Sequence, residues 1–251
     1  MKVHLVKTRL VNSYIIEYPE RLLVVDVAVK CHRYVLGFIE QELKRPVSDV
    51  ELVICTHDDM DHMGGVFALA KLCQASVAVP FASGRSSHKW VNNPAGAFTR
   101  FVTSGREMFR ARAWDMYFNK DRDKQATKQA KHQTITDDQS APSQEVEISY
   151  RLKGGQAIPG FDDWKVVHTP GHSWDSCCYH HSLTSSLITG DTLLGSGKEN
   201  RLVVASIYSS QRQTKRTLKK LSDLNVSRVY PGHGSVISGE NLIGRHNLPS
   251  K

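Results

Sequence analysis

The chain has 251 residues, a net charge of +8 and five cysteines. Its length suffices for one sizeable core, and its apolar runs are too short to span a bilayer as helices. An odd cysteine count with no Cys-x-x-Cys argues against a disulfide framework or a zinc ribbon.

Glycine and proline are scattered and no internal repeat is visible, so one domain over residues 1–251 is expected. The first ten residues carry charges where the apolar part of a secretion signal would lie, which predicts a cytoplasmic, reduced protein. Ser13 to Tyr18 and Arg21 to Val27 read as a hairpin ending near Asp26, and His32 to Leu43 as a helix. Glu51 to Cys55 reads as a buried strand and Gly64 to Leu72 as a helix. Between them lies Thr56-His57-Asp58-Asp59-Met60-Asp61-His62-Met63. His57 and Asp59 are two apart, and so are Asp59 and Asp61, so an extended turn points them the same way. His62 must point elsewhere. One short loop can then feed two adjacent metals, His57 and Asp59 to one, Asp61 and His62 to the other. A strand tip opening into a helix N-terminus also suits an anionic group.

Ser76 to Val79 reads as the next strand. The stretch from about 82 to 145 reads as an insertion near the metal edge. Ala97 to Phe118 is aromatic and basic and reads as one helix or two; Lys120 to Gln144 reads as a solvated helix or mobile loop. Trp90, Phe98, Phe101, Phe109, Trp114, Tyr117 and Phe118 either line a pocket or pack the insertion onto the body or a second copy, and packing is the commoner role. Val146 to Leu152, Trp164 to His168, Cys177 to His181 and Ser186 to Thr189 read as strands. Vicinal Cys177 and Cys178 should point to opposite faces, and Cys55 and Cys73 should be buried. Gln211 to Leu224 reads as a basic amphipathic helix, followed by a last strand.

Three of these later runs end in glycine-containing turns that present a metal-ligand type: His172 after Pro170-Gly171, Asp191 after Gly190, and His233 after Pro231-Gly232. Imidazole suits zinc, copper or iron, whereas carboxylates admit iron or manganese more readily. His4, His32, His88, His132, His180, His181 and His246 are expected to be structural or superficial. His168 is expected to pack or to support the site from behind, and Asp58 to point away from it.

The loop and the segments Thr-Pro-Gly-His-Ser, Leu-Ile-Thr-Gly-Asp-Thr and Tyr-Pro-Gly-His-Gly resemble the metallo-β-lactamase-fold hydrolase superfamily over about residues 12 to 234. The wording is similar to glyoxalase II-type and lactonase-type members. The resemblance implies an α/β fold, a four-layer αβ/βα sandwich, here with an inserted, largely helical segment. It implies that His57, Asp59 and His172 hold one metal, that Asp61, His62 and His233 hold a second, and that Asp191 bridges them. Asp26 matches a family aspartate that supports the metal loop. Zinc is the first expectation, with iron or manganese second. The implied chemistry is hydrolysis of a small ester, lactone, thioester or amide, a β-lactam included, by a hydroxide shared between two metals. Asp61 would orient the nucleophile or pass a proton to the leaving group.

Asp59 departs from the pattern, which has a second histidine there. A carboxylate at this position also occurs in DNA-uptake nuclease-like members and, as glutamate with iron, in flavodiiron proteins. It weakens the Lewis acidity of the first metal. Without Asp59 as a ligand, that position would be weak or empty. Asp59 and the basic clusters, Arg100 to Lys131 and Arg212 to Lys220, keep a phosphodiesterase or nuclease as the alternative, although a solvated face is the commoner meaning of such charge. A diiron redox protein would need a separate electron donor, and a purely structural metal would not need seven ligands. A small-molecule substrate, anionic if the basic surface serves it, is the expected partner. Nucleic acid is less favoured, no membrane is expected, and a homodimer contact is the other use of the insertion.

Overall fold

The computed structural model describes residues 1–8, 11–84, 94–109, 146–240 and 242–245. Two six-stranded sheets organise them. The first contains β1 (Lys2–Lys7), β2 (Asn12–Glu17), β3 (Leu22–Val25), β4 (Val50–Ile54), β5 (Ser76–Pro80) and β6 (Tyr150–Leu152), in that order. β1, β2 and β3 are antiparallel neighbours, while β3 through β6 run parallel. Parallel pairing requires crossovers. These are α1 (His32–Gly37) with the π-helical turn Phe38–Glu42, then α2 (Met60–Met63) and α3 (Val66–Cys73). The crossover from β5 to β6 carries α4 (Pro94–Met108). The second sheet contains β7 (Ala157–Ile158), β8 (Phe161–His168), β9 (Cys177–His181), β10 (Ser186–Gly190), β13 (Arg228–Pro231) and β14 (Ile237–Ser238), with β14 and β7 at its edges. β11 (Leu193–Ser196) and β12 (Arg201–Val204) form a separate ribbon, and α5 (Gln211–Ser222) follows it.

Strand periodicity builds the layers, because alternate residues point to opposite faces. In β3, Leu22 and Val24 face α3, while Leu23 and Val25 join Trp164, Phe161 and Tyr179 between the sheets. α3 answers with Val66, Leu69, Ala70 and Cys73, spaced as one helical stripe. On the far side, Leu187, Cys178 and Val229 pack under Leu218 and Leu221 of α5. The result is the expected four-layer αβ/βα sandwich. Each fully buried large side chain in the middle layer contributes about 1.5–3 kcal/mol by removal from water.

Cys177 lies between the sheets and Cys178 under α5, on the opposite faces expected of neighbours. All five cysteines are buried and free. Burial pushes the Cys73 thiol up to about 12 and the Cys178 thiol up to about 11, which makes both poor nucleophiles.

Some boundaries differ from expectation. The helix expected to Leu43 changes to π-helical winding at Phe38, and β6 begins at Tyr150 rather than Val146. β1 was not legible because lysines close both of its ends, a composition that suits an edge strand. α4 turns Gly96, Thr103 and Glu107 inward and leaves Phe98 60% and Phe101 70% exposed, and Phe109, just past its end, is 93% exposed. These three aromatic side chains are therefore not buried against the described body. Trp90, Trp114, Tyr117 and Phe118 lie outside the described residues, as do His88, His132, His246, the segment Lys120 to Gln144 and the basic residues from Arg110 to Lys131. On α5, Arg212, Lys215, Arg216 and Lys219 form an exposed face.

Candidate metal centre

Each expected ligand sits just past a strand end at one edge of the sandwich. β4 delivers His57 and the loop through His62; β8 leads to His172, β10 to Asp191 and β13 to His233. All seven converge. His57, Asp59 and His172 form one group, Asp61, His62 and His233 a second, and His57, His62 and Asp191 a third, each with ligand atoms within 4.8 Å of one another. Asp191 divides its oxygens between the first two. Oδ1 lies 3.3 Å from His62 Nε2 and 3.4 Å from His233 Nε2, while Oδ2 lies 3.7 Å from His172 Nε2. His57 Nε2 is 3.2 Å from Asp59 Oδ2, and His233 Nε2 is 3.4 Å from Asp61 Oδ2.

Local backbone chemistry produces this convergence. Asp59 occupies the N-cap position of α2, but its side chain makes no capping bond and turns into the site. Gly232 permits close approach: a Cβ there would lie 2.6 Å from His62 Cε1 and 2.9 Å from Asp191 Oδ1. Asp26 adopts a left-handed φ of 59°, which aspartate tolerates, and swings its carboxylate beneath the loop. There it accepts bonds from the Thr56 amide at 2.6 Å, the Thr56 hydroxyl at 2.9 Å and His62 Nδ1 at 2.9 Å.

The hydrogen-bond network assigns the ring protons. His62 Nδ1 donates to Asp26. The Thr56 hydroxyl, committed to Asp26, accepts from His57 Nδ1 at 3.0 Å. His172 Nδ1 donates to the Ile207 carbonyl at 2.7 Å. Three imidazoles thus hold their Nδ1 protons outward and aim Nε2 lone pairs inward. The Nε2 atoms of His57 and His62 and Oδ1 of Asp191 are buried and make no hydrogen bond. Lone pairs and carboxylates that face one another in a buried edge call for a cation, and the donor set fits a divalent metal.

Without metal, protons balance part of this charge. Burial opposes a charged His62, but Asp26, Asp61 and Asp191 together raise its pKa well above the ordinary value. Burial and His62 lower that of His57, while Asp59 and Asp191 outweigh them and raise it. Burial works against ionised Asp61, yet His62 and His233 hold its carboxyl down at about 2. Burial and the Arg100 guanidinium depress His172, consistent with a neutral ring.

Several contributors were not read from the sequence. Buried Asp175 accepts from the Asp58 amide at 2.9 Å, from Ser83 at 2.8 Å and from Ser173 at 2.7 Å, tying the loops of β4 and β8 together. Its place three residues after His172 was the available signal. Arg100 of α4 donates Nη2 to Asp59 Oδ2 and lies 3.0 Å from His172 Nε2. His168 stays outside the centre and bonds the Trp174 carbonyl at 2.9 Å, bracing the His172 loop. His4 and His181 pair with Glu17 and Asp163, away from the centre.

A model of the metallo-beta-lactamase superfamily matches residues 6–233. The chain is 29% identical over 96 residues to the probable metallo-hydrolase YqjP of Bacillus subtilis, covering 36% of this chain and 30% of that protein. It is 34% identical over 87 residues to an atrochrysone carboxyl ACP thioesterase of Aspergillus fumigatus, covering 35% and 17%. The matches thus span less than a third of these relatives' length. Among solved structures, a metallo-beta-lactamase family protein from Thermus thermophilus superposes with a TM-score of 0.60 at 20% identity, covering 97% of this chain and 76% of that one.

Proposed function

The chain belongs to the metallo-beta-lactamase superfamily, and from that premise we propose that it is a metal-dependent hydrolase of a small ester, thioester, lactone or amide. The observation that carries this reading is the set of inward-facing Nε2 atoms, with their Nδ1 protons fixed outward, around a carboxylate that reaches both groups. His57, Asp59 and His172 would hold one divalent ion and Asp61, His62 and His233 another, with Asp191 between them. An ion held there polarises the scissile carbonyl and makes water a nucleophile near neutral pH.

The chain's own groups do the rest. The side chain of Asp61 is 34% exposed, against 17% for Asp59 and 5% for Asp191, so it is the carboxylate that substrate and solvent reach. Held ionised beside His62 and His233, its carboxylate would orient the attacking water by accepting a hydrogen bond from it. Asp26, Thr56 and the Ile207 carbonyl keep the rings in one tautomer. Zinc suits four imidazoles, and three carboxylates leave iron or manganese as the second choice. The thioesterase relative supports an acyl substrate.

A phosphodiester is the second reading, favoured by the carboxylate at position 59; loss of binding with added salt would mark it. The test is elemental analysis of chelator-free protein, followed by ester, thioester, lactone, β-lactam and phosphodiester panels. Bound metal and chelator-sensitive acyl hydrolysis are expected. Failure to take up any metal on reconstitution would overturn the reading.

A further inference from the structure

The position bounded by His57, Asp59 and His172 already receives a cation from the chain itself. α4 docks through Thr103, whose hydroxyl accepts from the Tyr208 amide at 3.3 Å. That residue adjoins Ile207, the carbonyl that orients His172. Arg100 lies one turn before Thr103 on the same helical face. Its Nη2 donates to Asp59 Oδ2 and sits 3.0 Å from His172 Nε2, while His57 Nε2 lies 3.2 Å from that same Asp59 oxygen. A zinc ion bound by these three atoms would need to stand about 2.0–2.2 Å from each, in the space the Nη2 group fills. Guanidinium and ion exclude one another. Among the described residues no arginine or lysine pairs with Asp61 or Asp191 in the same way.

We propose that Arg100 is a tethered cation that competes with a divalent ion for the His57–Asp59–His172 position, so that the two positions load in order. One ion binds tightly among Asp61, His62, His233 and Asp191, and a second enters only when the guanidinium withdraws. The proposal rests on the metal-centre reading above and gives Asp59 a physical role. The anion that replaces an imidazole in the superfamily's pattern is the partner of a permanently charged guanidinium. The side chains of Arg100 and Asp59 are each only 17% exposed, so their pairing is shielded from solvent.

The test is a zinc titration of the metal-stripped full chain by calorimetry, with stoichiometry checked by elemental analysis after desalting. Cobalt absorption reports each occupied position independently of turnover. The wild type should retain one ion and bind a second more weakly. Arg100→Met, which keeps length without charge, should tighten the second by about tenfold or more, given the usual cost of breaking a shielded charge pair. Should that variant misfold, Arg100→Gln removes the charge while leaving the Asp59 ligand in place and should likewise tighten the second ion. Two equally tight ions in the wild type, or an unchanged second affinity in a folded variant, would overturn the proposal. No bound ion at all would overturn the metal reading and this one with it. Ordered loading without hydrolysis on any substrate would support this proposal and defeat only the hydrolase reading.

Discussion

Replacing Asp26 with asparagine should separate metal affinity from folding. The carboxylate is fully buried and accepts three protons, from the Thr56 amide, the Thr56 hydroxyl and His62 Nδ1. In Asp26→Asn the carbonyl can keep the Thr56 amide, and residue 26 can keep its left-handed backbone, which asparagine also tolerates. The new NH2 group then meets two donors. The hydroxyl can rotate to accept. His62 can accept only by giving up its Nδ1 proton and carrying its remaining proton on Nε2. That proton would then point at Asp191 Oδ1, 3.3 Å away, and occupy the lone pair a metal needs. Few polar groups remain unsatisfied in the metal-free variant, so its loss of stability should be about 1–2 kcal/mol, the difference between charged and neutral hydrogen bonds. Metal affinity should fall by about 10–100-fold, or about 1.4–2.8 kcal/mol. Calorimetric metal titration and thermal unfolding with and without metal measure the two separately. A folded variant with wild-type metal affinity would refute the tautomer argument.

Asp191→Asn should leave the fold intact while reducing bound metal and abolishing hydrolysis; a fully active variant would sink the shared-carboxylate arrangement. Asp175→Ala removes the acceptor of the Asp58 amide and of the Ser83 and Ser173 hydroxyls, of which Ser173 keeps Ser176 Oγ as a partner; at about 1–3 kcal/mol for each of the other two, thermal unfolding should shift down by about 4 °C or more, and a shift near zero would contradict the tie between the two loops. His62 gives a pH dependence whose sign is fixed, because its folded pKa is raised above 6.5. Its contribution to the metal-free protein is complete below that ordinary value and is lost as pH rises through the folded value. The melting temperature of chelated protein should therefore fall from neutral to alkaline pH, while metal affinity rises because no proton need be displaced; a flat chelated profile would count against a protonated His62.

The ligands were legible because each is encoded locally. An apolar run, a glycine turn and one imidazole or carboxylate place a ligand at a sheet edge without knowledge of the rest, and order along the chain supplies the pairing. Asp26 was legible for the same reason, at the tip of Leu-Leu-Val-Val. Asp175 and Thr56 were harder. Their roles are hydrogen bonds between loops 117 and 30 residues apart in sequence, and no periodicity announces such bonds. β1 and the β11–β12 ribbon escaped because short strands with charged or glycine-containing ends lack a clear alternation.

α4 shows how a correct element can still mislead about its face. Helical spacing puts Gly96, Arg100, Thr103 and Glu107 on one stripe and Phe98, Phe101 and Val102 on others. Hydrophobicity alone would turn the aromatic residues inward. That rule assumes an apolar surface beneath the helix, yet here the surface is an edge of carboxylates, imidazoles and backbone carbonyls. The stripe that matches it is the polar one. The Tyr208 backbone bonds Thr103, and Asp59, 41 residues before Arg100, receives its guanidinium. The choice of face therefore follows from the charge of the metal edge. Substituting Asp59 or Arg100 should consequently alter how α4 seats, as well as how many ions the centre takes.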